Sequence, residues 1–121
     1  MAEPPLYLFD GHNILHAGRM REPGELVDRL ASFVALRGAR GIVVFDGHGR
    51  AVDVGALRVL FALPADRLIE RLAAEHRATR EVHVVSSDRA VRRTAGFEVR
   101  HLSAQALLRE LEGDTGQWRR Y

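Results

Sequence analysis

The chain has 121 residues, 46% of them hydrophobic, which suits one compact domain over residues 1–121. Cysteine is absent, which excludes disulfides, thiolate metal sites and a cysteine nucleophile. All 18 basic residues are arginine against 16 acids, so the formal net charge of +2 is a weak sign of a nucleic-acid partner. Neither a membrane-length apolar run nor a signal-peptide pattern is present, so we expect a soluble, cytoplasmic protein without membrane association.

Short apolar runs in chain order predict the strands. The first run, residues 6–9, ends at Asp10-Gly11, and the second, residues 41–45, ends at Asp46-Gly47. Both are typical of a buried strand followed by a turn. Further strands are predicted over residues 58–62, 82–85 and 97–101.

Apolar residues at helical spacing predict helices between these strands. The first covers about residues 23–37, and the second begins at Pro64. A short helix is predicted over about residues 88–94, and Ser103 has the position of an N-cap for a last helix. The polar residues 113–121 are predicted to form a loose C-terminal tail.

The alternation of strands and helices predicts the fold class. Because the clearest strands are apolar on both faces, we expect a three-layer α/β/α sandwich with a mostly parallel sheet of about five strands. In such a sheet, ligands bind beyond the carboxyl ends of the strands. Functional residues are therefore expected at that edge.

Acidic residues stand at that edge. Asp10, Asp46 and Asp88 each follow a predicted strand, and a parallel sheet would bring them together. Asp66 and Glu70 are four residues apart, so both lie on one face of the first turns of their helix. Carboxylates that converge in this way require a cation, and oxygen ligands favour Mg²⁺ or Mn²⁺. Such a site suits phosphodiester hydrolysis, with the four aspartates as catalytic residues.

Each acid also has an ordinary structural explanation. Asp-Gly is a common turn dipeptide, and an aspartate at the position of Asp66 is favourable near a helix N-terminus. Glu70 has Arg67 and Arg71 as possible surface partners. Three aspartates in the same topological position are harder to explain by turn preference alone.

Polar and basic residues surround the same edge. Asn13, three residues after Asp10, is placed to hydrogen-bond a carboxylate or phosphate oxygen, or to cap a helix. Four arginines are candidates for contacts with RNA phosphates: Arg50, Arg89, Arg92 and Arg93. His12 and His48 each follow a strand-end aspartate by two residues. An imidazole there is able to ligate a softer metal or act as an acid or base, but we interpret both as exposed loop residues.

Four motifs occur in register along the chain: Phe9-Asp10-Gly11-His12-Asn13, Val44-Phe45-Asp46-Gly47, Ala65-Asp66-Arg67-Leu68-Ile69-Glu70 and Ser86-Ser87-Asp88-Arg89. Together they resemble the YacP-like branch of the NYN domains, within the PIN-like nuclease group, over most of residues 6–112. The resemblance implies a PIN-like sandwich and metal-dependent endoribonuclease activity. It places Asp10, Asp46, Asp66 and Asp88 in the acidic pocket, with Glu70 as a further acid and Asn13 as a polar companion.

The chain departs from that pattern in two places. His12 stands where a tyrosine is common, and the segment between the second strand and the Ala-Asp helix is short. A shortened segment would remove RNA-binding surface while leaving the acidic pocket whole.

The sequence therefore predicts an endoribonuclease that hydrolyses RNA phosphodiesters with an aspartate-bound Mg²⁺ or Mn²⁺ ion and no organic cofactor. The alternative is a non-catalytic RNA-binding or interaction module on the same fold, because fold does not determine function. Retention of all the acids favours the enzyme.

Overall fold

The computed structural model describes residues 3–94 and 98–119, which form one sheet of six strands with helices on both faces. In chain order the elements are β1 (Leu6–Asp10), α1 (Gly11–Gly18), α2 (Pro23–Leu36), β2 (Arg40–Asp46), β3 (Val52–Val54), β4 (Leu57–Ala62), α3 (Ala65–His76), β5 (Val82–Val85), α4 (Arg89–Thr94), β6 (Arg100–Leu102) and α5 (Ala104–Arg119). None of the described helices is long and apolar enough to span a bilayer.

The strands lie in the order β3-β4-β2-β1-β5-β6. All neighbouring pairs are parallel except β3 with β4. β1 is central, between β2 and β5, and its last residue, Asp10, is in register with Val44. The predicted α/β sandwich with a mostly parallel sheet is confirmed.

Burial on both faces explains why the central strands pair in this way. On one face, Phe9 and Val43 pack against α1, α2 and α5, and their cluster includes Phe33 of α2. On the other face, Leu8 and Val44 pack against α3 and α4. Side chains alternate along a strand, so continuous apolar runs are required when both faces are covered.

Two elements were not predicted from the sequence. β3 is a short, largely exposed strand that lacks an apolar run and pairs antiparallel with β4. The segment after Asp10 was interpreted as a turn, but it is the helix α1. Gly11 allows this helix to pack closely, because a Cβ there would lie 2.5 Å from the ring of Phe45.

The two predicted segments nearest the C-terminus differ from the structure. The last strand was predicted over residues 97–101, but β6 covers Arg100–Leu102; residue 97 lies outside the described residues. The loose tail predicted from residue 113 is wrong for residues 113–119, which continue α5. Arg37 binds Glu110 and Asp114 through its guanidinium at 3.4 and 3.1 Å, and these contacts connect this part of α5 to the end of α2.

Close packing at the start of β2 gives a test of the fold. A Cβ on Gly41 would lie 2.9 Å from atoms of Leu57 and Val34. We expect Gly41→Ala to lower the free energy of unfolding by about 1–3 kcal/mol through overpacking. Gly24→Ala is the matched control, because nothing lies within 4 Å of its Cβ position in α2. Urea denaturation measures both variants, and equal stabilities would contradict this account.

Candidate active site

Three aspartates stand at the carboxyl edge of the central strands. Asp10 ends β1 and Asp46 ends β2, while Asp88 lies three residues beyond the end of β5. Because β1 lies between β2 and β5, Asp10 occupies the middle of this edge. Asp88 Oδ1 accepts a hydrogen bond of 2.9 Å from the N–H of Ala90, at the start of α4.

A buried serine connects two of these aspartates. Ser86 is fully buried, and its Oγ donates a hydrogen bond of 2.9 Å to Asp10 Oδ2. The same Oγ accepts a hydrogen bond of 3.0 Å from the backbone N–H of Asp88. Ser86 therefore holds the Asp10 carboxylate in one orientation and sets the direction of the chain into Asp88.

The environment of Asp10 disfavours its charged form. Burial raises the pKa of Asp10 above its usual range, and the negative charges of Asp46 and Asp88 raise it further. Hydrogen bonds from the Ser86 hydroxyl and the backbone N–H of Asn13 oppose this rise. The direction of the net shift indicates that a positive charge near Asp10 would stabilise its carboxylate.

Asp46 is oriented by two neighbouring elements. Its Oδ1 accepts a hydrogen bond of 2.8 Å from the N–H of Ala65, the first residue of α3. Its own backbone N–H donates to Nδ1 of His12 at 3.1 Å. When the imidazole is neutral, this contact places the ring proton on Nε2.

His12 therefore has a contact that was not predicted from the sequence. It was interpreted as a loop residue, but it lies in α1 beside the carboxylate edge. Its position two residues after Asp10 was the signal in the sequence. That position indicates a contact with the carboxylate edge only once the segment is known to be helical.

Asp46 contacts the first residue of α3, and the two acids of that helix come next in the chain. Asp66 is in the first turn of the helix, and Glu70 lies one turn later; both are half-buried. Asp66 Oδ1 is enclosed and accepts no hydrogen bond from any residue in the described ranges 3–94 and 98–119. An enclosed carboxylate oxygen without a donor is unfavourable, because its lost hydration is not replaced.

Asn13 connects the carboxylate edge to the last helix. Its Oδ1 accepts a hydrogen bond of 2.8 Å from the N–H of Ser87. The hydroxyl of Ser87 donates to Gln105 Oε1 and accepts from the N–H of Ala104 at 3.0 Å. Asn13 thus supports the segment after β5. Its predicted contact with a carboxylate or a substrate phosphate remains a prediction.

The predicted phosphate-binding arginines are all exposed. Arg50 lies between β2 and β3, and the other three lie on α4, directly after Asp88: Arg89, Arg92 and Arg93. His48 is also exposed. In the part of the chain that the structure describes, no three His, Asp or Glu side chains form a ready-made metal site. The carboxylates therefore form an open edge rather than a closed cage.

The bridging role of Ser86 can be tested by removing its hydroxyl. We expect Ser86→Ala to lower the free energy of unfolding by about 1–3 kcal/mol, because the part-buried N–H of Asp88 and the Asp10 carboxylate each lose a partner. Ser32→Ala, at an exposed position of α2, is the control and should change stability by less than about 0.5 kcal/mol. Chemical denaturation measures both, and an unchanged stability of Ser86→Ala would contradict the bridge.

The raised pKa of Asp10 predicts how stability depends on pH. At acid pH the carboxyl is protonated in both the folded and the unfolded chain. As pH rises through the ordinary carboxyl range, the unfolded chain ionises first, so folded wild-type protein loses stability relative to Asp10→Asn. In buffer without divalent ions, we expect the variant to be the more stable at neutral pH, with the difference shrinking at acid pH. Denaturation across a pH series measures this, and a constant difference would refute it.

Comparisons with known proteins agree with this architecture. The YacP-like NYN domain pattern matches residues 7–120. A crystal structure of a mutant form of Rae1 (YacP) from Bacillus subtilis is 30% identical with a TM-score of 0.76, and the match covers 96% of this chain and 80% of that chain. A second Rae1 (YacP) crystal structure from that organism is 28% identical with a TM-score of 0.74, covering 95% and 78%. No curated protein sequence matches. The chain therefore belongs to the YacP-like NYN domain family and has its nuclease-type fold.

Proposed function

We propose that this chain is a metal-dependent endoribonuclease that hydrolyses phosphodiester bonds in RNA. The observation that carries the proposal is the carboxylate edge, where Asp46 and Asp88 end neighbouring segments close enough for their charges to act on Asp10. Asp10 is held there by Ser86 although burial and neighbouring charges oppose its ionisation. A fold gains no stability from gathering carboxylates in this way, so a function in binding a cation is the simplest reason for the arrangement.

The donors at this edge fit a hard divalent cation. Mg²⁺ and Mn²⁺ prefer oxygen ligands, and Mg²⁺ commonly retains several waters while it binds one or two protein carboxylates. An open edge suits that mode of binding. Asp66 Oδ1, which is enclosed and has no hydrogen-bond donor among the described residues, supports the assignment. The residues proposed to hold Mg²⁺ or Mn²⁺ are Asp10, Asp46, Asp66, Asp88 and Glu70.

A bound divalent ion would neutralise charge on the scissile phosphate and make an attacking water more acidic. The chain itself supplies orientation: Ser86 fixes the Asp10 carboxylate, and the N–H of Ala65 fixes that of Asp46. One aspartate at the edge accepts the proton of the attacking water. Four exposed arginines are proposed to bind RNA phosphates: Arg50, Arg89, Arg92 and Arg93.

Cleavage of end-labelled single-stranded RNA tests the proposal. We expect cleavage in the presence of Mn²⁺ or Mg²⁺ and its loss on chelation. Asp10→Asn should lower the rate by at least about 100-fold, because it removes a carboxylate from the centre of the edge. Asp53→Asn is the matched control: Asp53 is an exposed aspartate of β3 paired with Arg58, and its loss should leave the rate unchanged.

Each result separates the enzyme from the alternative of a non-catalytic RNA-binding module. RNA binding without metal-dependent cleavage would favour the binding module. Equal cleavage by wild type and Asp10→Asn, at equal protein concentration, would indicate a contaminating nuclease and would contradict the proposal.

A further inference from the structure

Two exposed apolar side chains stand at the carboxyl end of β4. Phe61 is 36% exposed and Leu63 is 69% exposed. In the described residues, the other large exposed hydrophobic side chains are Leu36 at the end of α2 and Val52 on β3. Exposed apolar side chains are common on protein surfaces, so the position of Phe61 is what requires explanation.

Phe61 belongs to a row of rings that reaches the carboxylate edge. It is in register with Phe45, the residue before Asp46, and the two ring centroids are 6.0 Å apart. Phe45 in turn contacts His12 edge-on, with centroids 5.5 Å apart. His12 accepts the backbone N–H of Asp46. Ring contacts therefore connect Phe61 through Phe45 to His12, which binds Asp46.

The ring of Phe61 is held firmly. A Cβ on Gly49 would lie 2.6 Å from the Phe61 ring, so the backbone of the segment after β2 packs directly against it. The second neighbour of the Phe61 ring is Phe45, which is almost completely buried. An aromatic surface fixed in this way loses little conformational entropy when it binds a flat partner.

Electrostatics favours an uncharged contact at this place. RNA is a polyanion, and the nearby carboxylates repel its phosphates until a cation is bound. A base stacked on an aromatic ring holds the strand without adding charge, and stacking tolerates any of the four bases. Arg50 directly follows Gly49 in the chain and is exposed, so it is the candidate for a phosphate contact in this segment.

We infer that Phe61, with Leu63 two residues further on, forms a stacking subsite for one unpaired base of the RNA strand whose phosphodiester lies at the Asp10–Asp46 edge. This inference rests on the proposed function, because it takes RNA as the ligand of that edge. It predicts that the chain prefers single-stranded substrate and that a surface outside the carboxylates is responsible. A paired base is already stacked within its duplex and does not reach such a ring.

Three variants and a set of modified RNAs test the subsite. Phe61→Leu keeps an apolar side chain but removes the aromatic face, Phe61→Tyr keeps the face, and Leu36→Ala is an exposed apolar control on α2. Single-stranded oligonucleotides in which one base at a time is removed are used as substrates. We expect Phe61→Leu to raise KM about tenfold with kcat changed less than about twofold, whereas Phe61→Tyr and Leu36→Ala keep the wild-type KM.

The abasic series locates the base. At one position near the cleaved bond, base removal should raise the wild-type KM about tenfold but should have less than about a twofold effect on Phe61→Leu, since the interaction is already lost. Fluorescence anisotropy measures binding of the same RNAs to Asp10→Asn protein and to Asp10→Asn combined with each Phe61 variant. Urea denaturation of each variant excludes misfolding as the cause.

The outcomes distinguish this inference from the proposed function. Metal-dependent cleavage with the same KM in wild type and Phe61→Leu overturns the stacking subsite and leaves the nuclease intact. Absence of cleavage, with binding that still depends jointly on Phe61 and one base, overturns the nuclease and supports the subsite. Absence of both cleavage and RNA binding overturns both.

Discussion

β1 pairs with β2 on one side and with β5 on the other, and both pairings are parallel. Parallel strands of similar register end at one edge, so residues that are distant in sequence meet there. The same strands are buried on both faces, which fills the interior with apolar side chains and leaves polar groups to the strand ends. The position of Asp10 therefore follows from how the hydrophobic core is assembled.

Holding carboxylates at that edge opposes folding, and the surrounding residues offset part of the cost. Ser86 donates its hydroxyl to Asp10, and the N–H of Ala65 donates to Asp46. These donors replace hydration that is lost on burial, but they leave Asp66 Oδ1 without a donor among the described residues. The edge is thus only partly satisfied by the protein, as is common where structure serves binding.

The sequence predicted features that depend on local pattern and on topology. Continuous apolar runs identified the central strands, and the placement of an aspartate after three of them predicted the carboxylate edge. Features that depend on tertiary contacts were not predictable in this way. α1 was missed because Gly11-His12-Asn13 has turn-forming residues, whereas in the folded chain the helix buries Gly11, Ile14 and Leu15.

The contacts of His12 and Asn13 were hidden for a related reason. A histidine and an asparagine in a supposed loop have many possible partners, and local sequence gives no means of choosing among them. Their partners, Asp46 and Ser87, are 34 and 74 residues away along the chain. The parallel sheet brings these segments together, so the contacts become evident only after the strands are ordered.

The hydrogen bonds of Ser87 have a consequence for the C-terminal helix. Ser87 connects Asn13 to the first turn of α5, and Arg37 binds Asp114 much further along that helix. α5 is therefore fixed both to the segment that carries Asp88 and to the end of α2. Removing α5 would therefore remove Ala104 and Gln105, the partners of the Ser87 hydroxyl, and would loosen the segment that carries Asp88.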